Sequence, residues 1–382
     1  MITLFILFFI RLFKSKKAQF GDSGMEGLDA QLQSLVDNHK TPSVAYMLFD
    51  KDKIIHSFQS GFSDIQNQKP SSLDTVYSGF SVTKTFTALA ILQLEEKRKL
   101  LIDDSVKKYL KDFPYSAEIT IRQLLTHSSG LPNPIPLRWI HSPEEHTSFE
   151  RDRFFSKILS KHNRLKSAPN EKFQYSNLGY VLLGQIIEQC SGLSYEDYIK
   201  TFIIHPIGIR ENELGFQLDK TVYYAKGYQK NFSLMNFLLG FLMDKSKFVD
   251  RTEGKWVSFK EMMLNGPAHG GLFGTPNSFA RYIQELLKPN SFLISDEKKE
   301  LLFRENENNA GCKTGMCFSW FKGQLGSKVY FAHAGGGAGF YCEIRIYPEA
   351  GLGSVVMFNR SGMNDKRTLD QLDQYYFETE GV

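Results

Sequence analysis

Ser81-Val82-Thr83-Lys84 stands where a loop becomes a helix, at the head of the strongly helical run Thr83 to Glu96. Residues three apart share a helix face, so the Lys84 amine reaches the Ser81 hydroxyl. The free N–H groups at a helix start also favour developing negative charge. A desolvated lysine loses its proton near neutral pH and accepts the serine proton directly or through a neighbour, which makes a weak nucleophile usable. The pattern by itself is cheap, because Ser105, Ser295 and Ser319 each open a string with lysine at the fourth position.

Ser81 differs from these rivals in its company. Tyr175-Ser176-Asn177 is the only Tyr-x-Asn string in the chain. A phenol near a lysine can be held partly deprotonated, so that Tyr175 takes the Ser81 proton and returns it to a leaving group, while Asn177 orients the lysine and a substrate amide. Read alone, Tyr175 is an ordinary amphipathic core tyrosine in a chain with 14% aromatic residues. A third element, a strand edge that binds substrate, has three candidates: Lys313-Thr314-Gly315, His269-Gly270-Gly271 and His333-Ala334-Gly335. The last fits best, since it ends a predicted strand and runs into Gly336, Gly337 and Gly339, where a substrate meets bare backbone. The Gly336 N–H then faces an oxyanion, and the Lys313 triplet reads as a turn.

Around these strings the periodicity predicts a helix at Leu28 to Val36, strands at Ser43 to Phe49 and Ile54 to Phe58, and loops with short helices from Leu124 to His162. Helical spacing returns at Leu178 to Cys190, Tyr195 to Phe202 and Ser278 to Leu287. Val329 to His333, Phe340 to Tyr347 and Gly353 to Asn359 read as three strands, followed by a helix from about Lys366 to Phe377. The order is α+β: an antiparallel sheet whose terminal helices pack together on one face.

With 382 residues, 42% hydrophobic and 23% charged, the chain buries a large core, and no linker divides it. A formal charge of +4, with lysines and acids interspersed, excludes a nucleic-acid stripe and leaves small or peptide-like substrates. Cys190, Cys312, Cys317 and Cys342 match no zinc spacing; buried free thiols are the default, with a Cys312–Cys317 bridge the alternative. His141 and His146 beside Glu144 and Glu145 read as a solvated loop, not a metal site. Trp139 and Arg138 are expected at the cleft rim, and the apolar run Phe232 to Met243 reads as a packing helix or a lid. Leu4 to Ile10 is apolar and followed by Arg11, Lys14, Lys16 and Lys17, so residues 1–20 read as a secretion segment or a membrane-surface anchor, unless translation starts at Met25. An exported or membrane-associated protein is therefore expected ahead of a cytosolic one.

Together these strings resemble the β-lactamase-related serine hydrolases, a family of class C β-lactamases, penicillin-binding DD-peptidases, D-aminopeptidases and esterases. The resemblance extends to Leu124-Leu125-Thr126-His127-Ser128-Ser129-Gly130-Leu131-Pro132, to Gly270-Gly271-Leu272-Phe273-Gly274-Thr275 and to Tyr347-Pro348-Glu349. It implies one catalytic domain over residues 25–378, with an all-helical insertion at about 100–265 and the site between that insertion and the sheet. It implies Ser81 as nucleophile, Lys84 and Tyr175 as the proton-transfer pair, Asn177, His333 and Gly335 as substrate contacts, and the Ser81 and Gly336 N–H groups as the oxyanion hole. An acyl-enzyme forms and no cofactor or metal is required.

One departure bears on substrate. Members acting on β-lactams usually present Lys-Thr-Gly where this chain has His333-Ala334-Gly335, so a permanent cation for a substrate carboxylate is missing. Ester or peptide-like carbonyl substrates gain weight over penicillins and peptidoglycan. Two readings of another class are a non-catalytic peptidoglycan- or peptide-binding protein and a chain that acts by self-assembly on membranes.

Overall fold

A computed structural model describes residues 24–134, 136, 139–217, 223–231, 245–363 and 368–379. The basic apolar segment at residues 1–20, Arg138 and all of Phe232 to Met243 lie outside the described residues.

Helix α1 (Met25–Asp37) leads into strands β1 (Ser43–Asp50), β2 (Ile54–Asp64) and β3 (Lys69–Pro70). Helix α2 (Thr83–Glu96) follows, then α3 (Asn177–Ser191) and α4 (Pro276–Leu287). The chain closes with β4 (Phe321–Leu325), β5 (Lys328–Gly337), β6 (Phe340–Tyr347), β7 (Leu352–Phe358) and α5 (Thr368–Thr379). The seven strands form one antiparallel sheet in the order β4-β5-β6-β7-β1-β2-β3, so the first and last parts of the chain meet where β1 pairs with β7. The α+β reading holds, with both terminal helices on one face.

Strand alternation sorts β1 between two layers. Val44, Tyr46 and Leu48 pack with Leu28 and Leu32 of α1 and Leu369 and Leu372 of α5. Met47 and Phe49 point the other way, into the core shared with α2 and α4. Each fully buried leucine in these layers contributes roughly 1.5–3 kcal/mol. Helix α2 is buried from Thr83 to Leu94, which explains an apolar pattern that runs right round it. Helices α3 and α4 start at Asn177 and Pro276 because hydroxyls cap them: Ser176 accepts from Gly179 N–H and Thr275 from Ser278 N–H.

The region between α2 and α4 departs from the all-helical expectation. It carries a Tyr228–Lys230, Trp256–Phe259 and Val249–Glu253 ladder, and Met263–Leu264 paired with Ile140–His141. These strands are two to five residues long and lack the alternating run that would reveal them in sequence. Strand β5 is also longer than expected. It does not end at His333, because pairing with β6 continues to Gly337 opposite Phe340.

A buried polar network fastens α5 to the sheet. Arg345, fully buried, pairs with Glu343 and Asp370, each at 2.8 Å, and stacks over the Tyr330 ring. Asp373 accepts hydrogen bonds from Tyr46, Tyr347 and Ser354. The other feature that fixes the site is a contact of bare backbone: a methyl group on Gly335 would lie 2.1 Å from the Gly79 carbonyl and 2.8 Å from Ser81 N. Gly336 has ordinary space around it.

Arg345→Met should lower the unfolding free energy by about 3–5 kcal/mol in urea titrations, because it leaves buried carboxylates without their cation. Gly335→Ala should displace β5 from the Ser81 turn and abolish activity, whereas Gly336→Ala should be tolerated, as enzymatic assay beside thermal melts will show.

Candidate functional site

The Ser81 turn is built by local strain and three braces. Phe80 has φ +42°, a left-handed backbone that a bulky residue adopts only when its surroundings hold it there. Gly79 N–H donates to the Leu272 carbonyl at 2.8 Å, and Leu272 N–H donates back to Thr83 Oγ1 at 3.1 Å. Lys84 Nζ donates to the His269 carbonyl at 2.5 Å. The run His269 to Leu272 therefore grips the turn and the first turn of α2 from one side.

Lys84 Nζ lies 3.0 Å from Ser81 Oγ. Burial alone holds its pKa well below the ordinary lysine value, and among the described residues no carboxylate is paired with it. The amine is therefore held neutral and able to receive a proton. Tyr175 is hydrogen-bonded to Ser81, and its ring centroid lies 5.1 Å from Lys84 Nζ. Its phenol differs from the expectation. Burial raises its pKa, opposed in part by the Ser81 hydrogen bond, so Tyr175 rests protonated.

Beyond Ala332, the last β5 residue opposite β4, the edge of β5 is free of that partner and faces the Ser81 turn. Gly335 and Gly336 lie on this stretch, and Ser81 N sits against Gly335. His333 lies buried in mid-strand. Its Nδ1 faces the Ser319 carbonyl, which requires Nδ1 to carry the proton and leaves a lone pair on Nε2. That Nε2 is buried and has no hydrogen-bond partner among the described residues. Burial, helped by Lys84, pushes the His333 pKa down to about 3, so the ring is neutral. Asn177 begins α3, with its N–H donating to Asn133 Oδ1 at 3.0 Å.

The rival strings have other uses. Ser105 and Ser295 are helix caps that accept from Lys107 and Lys298 N–H. Ser319 holds His333, and its Lys322 pairs with Glu305 at 3.3 Å. Lys313 lies exposed in a loop bridged to Glu307. Trp139 is not at a rim; it is buried against Phe155 and the His269 ring, because β-pairing of Ile140–His141 draws it inward. His141 is buried and hydrogen-bonded to Asn265 at 2.7 Å and His146 at 2.9 Å, while Glu144 and Glu145 stay exposed on the loop, as expected. All four cysteines are free thiols, with Cys317 and Cys342 buried and Cys312 exposed.

Two features escaped sequence reasoning. His127 contacts Tyr175 with ring centroids 4.2 Å apart, and the His269 carbonyl holds Lys84. The strings around both stand out in the sequence, but nothing in them says which atoms face the lysine. A cavity of about 390 Å³ adjoins the turn through Phe80, Gly270 and Gly271, with Phe273, Phe340 and Lys226 among its walls.

Comparison with known proteins bears on the family and the fold. The Beta-lactamase family model matches residues 28–375. Penicillin-binding protein 4* of Bacillus subtilis is 30% identical over 295 residues, covering 75% of this chain and 60% of that protein. Protein flp of Staphylococcus aureus is 27% identical over 214 residues, 54% of this chain and 42% of that protein. The chain thus spans less than two thirds of the length of these relatives. Among solved structures, the octameric penicillin-binding protein homologue from Pyrococcus abyssi superposes with a TM-score of 0.71 at 26% identity, covering 91% of this chain and 77% of that one. The D-amino acid amidase from Ochrobactrum anthropi SV3 shares the fold, with a TM-score of 0.74 at 18% identity over 94% of this chain and 99% of that one. The family match over nearly the whole chain, on a fold that sets Ser81, Lys84 and Tyr175 side by side, places this protein in the β-lactamase-related serine hydrolase family.

Proposed function

We propose that the protein is a serine hydrolase that forms an acyl-enzyme on Ser81 from uncharged ester, amide or peptide-like carbonyl substrates. The observation that carries this reading is a buried, carboxylate-free Lys84 amine 3.0 Å from Ser81 Oγ, with protonated Tyr175 hydrogen-bonded to the same serine.

In the first step Ser81 Oγ attacks the carbonyl carbon and its proton passes to Lys84 Nζ. The negative oxygen of the tetrahedral intermediate is received by the Ser81 and Gly336 N–H groups; loss of one such donor typically costs about 3–4 kcal/mol of barrier. As the bond to the leaving group breaks, Tyr175 gives its proton to the departing oxygen or nitrogen and is reprotonated from Lys84. Water then attacks the acyl-enzyme by the same route in reverse and releases the acid. Asn177 and the edge from His333 to Gly336 are the substrate contacts. Because His333 is neutral, this edge offers no permanent cation to a carboxylate, which favours neutral substrates over penicillins and peptide C-termini.

Similarity to penicillin-binding protein 4* supports a second reading, a penicillin-binding role. Intact-protein mass spectrometry after exposure to a fluorophosphonate, a penicillin and a short-chain p-nitrophenyl ester separates the two. The expected result is a fluorophosphonate adduct and ester turnover in the wild type, neither in Ser81→Ala, and no lasting penicillin adduct. A stable penicillin adduct would favour the second reading, and no adduct from any reagent would overturn both.

Lys84→Ala and Tyr175→Phe should each lower kcat/KM by about 10²–10⁴-fold while cooperative unfolding persists, and Lys313→Ala should leave it within about twofold. The pH profile follows from the two shifts. Activity requires neutral Lys84, so it is present above that group's depressed pKa and lost as pH falls through it. It also requires protonated Tyr175, so it persists to a pH above the ordinary tyrosine range. A broad plateau in kcat/KM across neutral pH, whose acid limb disappears in Lys84→Ala, is the expected outcome.

A further inference from the structure

We propose that His127 is the positioning residue for Tyr175, gripping the three consecutive residues 174–176 so that the phenol is held against Ser81. The proposal rests on the acyl-enzyme reading of the site. Three contacts carry it. The His127 carbonyl accepts the Gln174 N–H at 2.6 Å. Its Nδ1 accepts the Ser176 N–H at 3.1 Å. Its ring lies against the Tyr175 ring at 4.2 Å between centroids, tilted by 31°.

The residue type follows from these contacts. His127 has φ +52°, in the left-handed region where histidine and asparagine are among the better tolerated side chains. An acceptor is needed at Nδ1, so the proton sits on Nε2, and that nitrogen is buried with no partner among the described residues. Protonation of the ring would turn Nδ1 into a donor facing the Ser176 N–H and open the grip. The environment works against this, since burial holds the ring neutral. The grip is itself anchored: Ser128 N–H donates to the Gln123 carbonyl, and Ser176 Oγ donates to the Pro132 carbonyl. Two chain segments nearly fifty residues apart are thereby locked together at the phenol.

Asparagine is the conservative replacement. It accepts the left-handed backbone, and its Oδ1 can stand where Nδ1 accepts. Alanine supplies neither the acceptor nor the ring. The test is a double-mutant cycle with a p-nitrophenyl ester, combining His127→Ala and His127→Asn with Tyr175→Phe. His127→Ala should lower kcat about a hundredfold with KM within about threefold, and His127→Asn should recover at least about tenfold of that loss. In the Tyr175→Phe background both changes should cost less than about threefold, because the group they position is gone.

Full loss in the Tyr175→Phe background, or asparagine no better than alanine, overturns the proposal and leaves the acyl-enzyme reading standing. Turnover that survives in Ser81→Ala overturns the acyl-enzyme reading itself. Should His127→Ala fail to unfold cooperatively, the comparison of His127→Asn with His127→Gln in both backgrounds decides the question, since only asparagine places its acceptor at the reach of Nδ1.

Discussion

Burying the Lys84 amine without a carboxylate is the constraint around which the site is arranged. An isolated ammonium in a low-dielectric interior is so costly that the group sheds its proton instead. A carboxylate nearby would restore the charge and remove the base. The surroundings accordingly hold neutral groups: the Ser81 hydroxyl, the His269 carbonyl, the Tyr175 and Tyr180 rings, and the uncharged imidazoles of His127, His269 and His333. Helix α2 has to be buried on every side for this to work, which is why it lies at the centre of the main core and not on its surface.

The site then sits on a seam between two bodies. Ser81 lies in the 3-10 turn that leads into α2 and Lys84 in the first turn of α2, whereas the receiving edge belongs to β5, and the two meet through backbone with no side chain between them. Gly335 makes that approach possible, and the strain at Phe80 is held by the Leu272 and Thr83 exchange behind it. Fixed N–H groups in a dry setting need no reorganisation when charge develops, so under the proposed function the seam serves as a preorganised oxyanion site. On the far face α5, fastened to the sheet through Arg345, packs together with α1.

What could be read in the sequence was whatever depends on local spacing. Sheet strands such as Ser43–Asp50 and Phe340–Tyr347 announce themselves by composition and bounding turns, and the Ser81 to Lys84 spacing is a property of one helical turn. Tyr175 was legible through the uniqueness of its string. Properties created by tertiary packing were not. The phenol looked acidic beside a lysine, yet full burial raises its pKa, with the Ser81 hydrogen bond offsetting only part of the rise. Strand β5 seemed to stop at His333 because glycines read as a break, whereas pairing with β6 carries it on. Ser105 and Ser295 mimic the catalytic string because a capping serine is followed by lysine at N3 in both. His127 was visible only as one letter in a resembling run, since its partners lie almost fifty residues away.

The neutrality of the cluster also links the base to the substrate. A carboxylate brought to the β5 edge would find no free donor on the His333 ring, whose Nδ1–H is taken by the Ser319 carbonyl. It would also stand close to Lys84 in a low-dielectric setting, where a negative charge raises an amine's pKa. A lysine at the His333 position would compensate such a charge; the neutral His333 ring does not. A charged substrate would thus be held poorly and would protonate the amine that has to receive the Ser81 proton, while an uncharged ester or amide leaves the amine free. Under the proposed function, a neutral imidazole in place of a cation thus bears on both recognition and the proton inventory, and both favour the uncharged substrates proposed above.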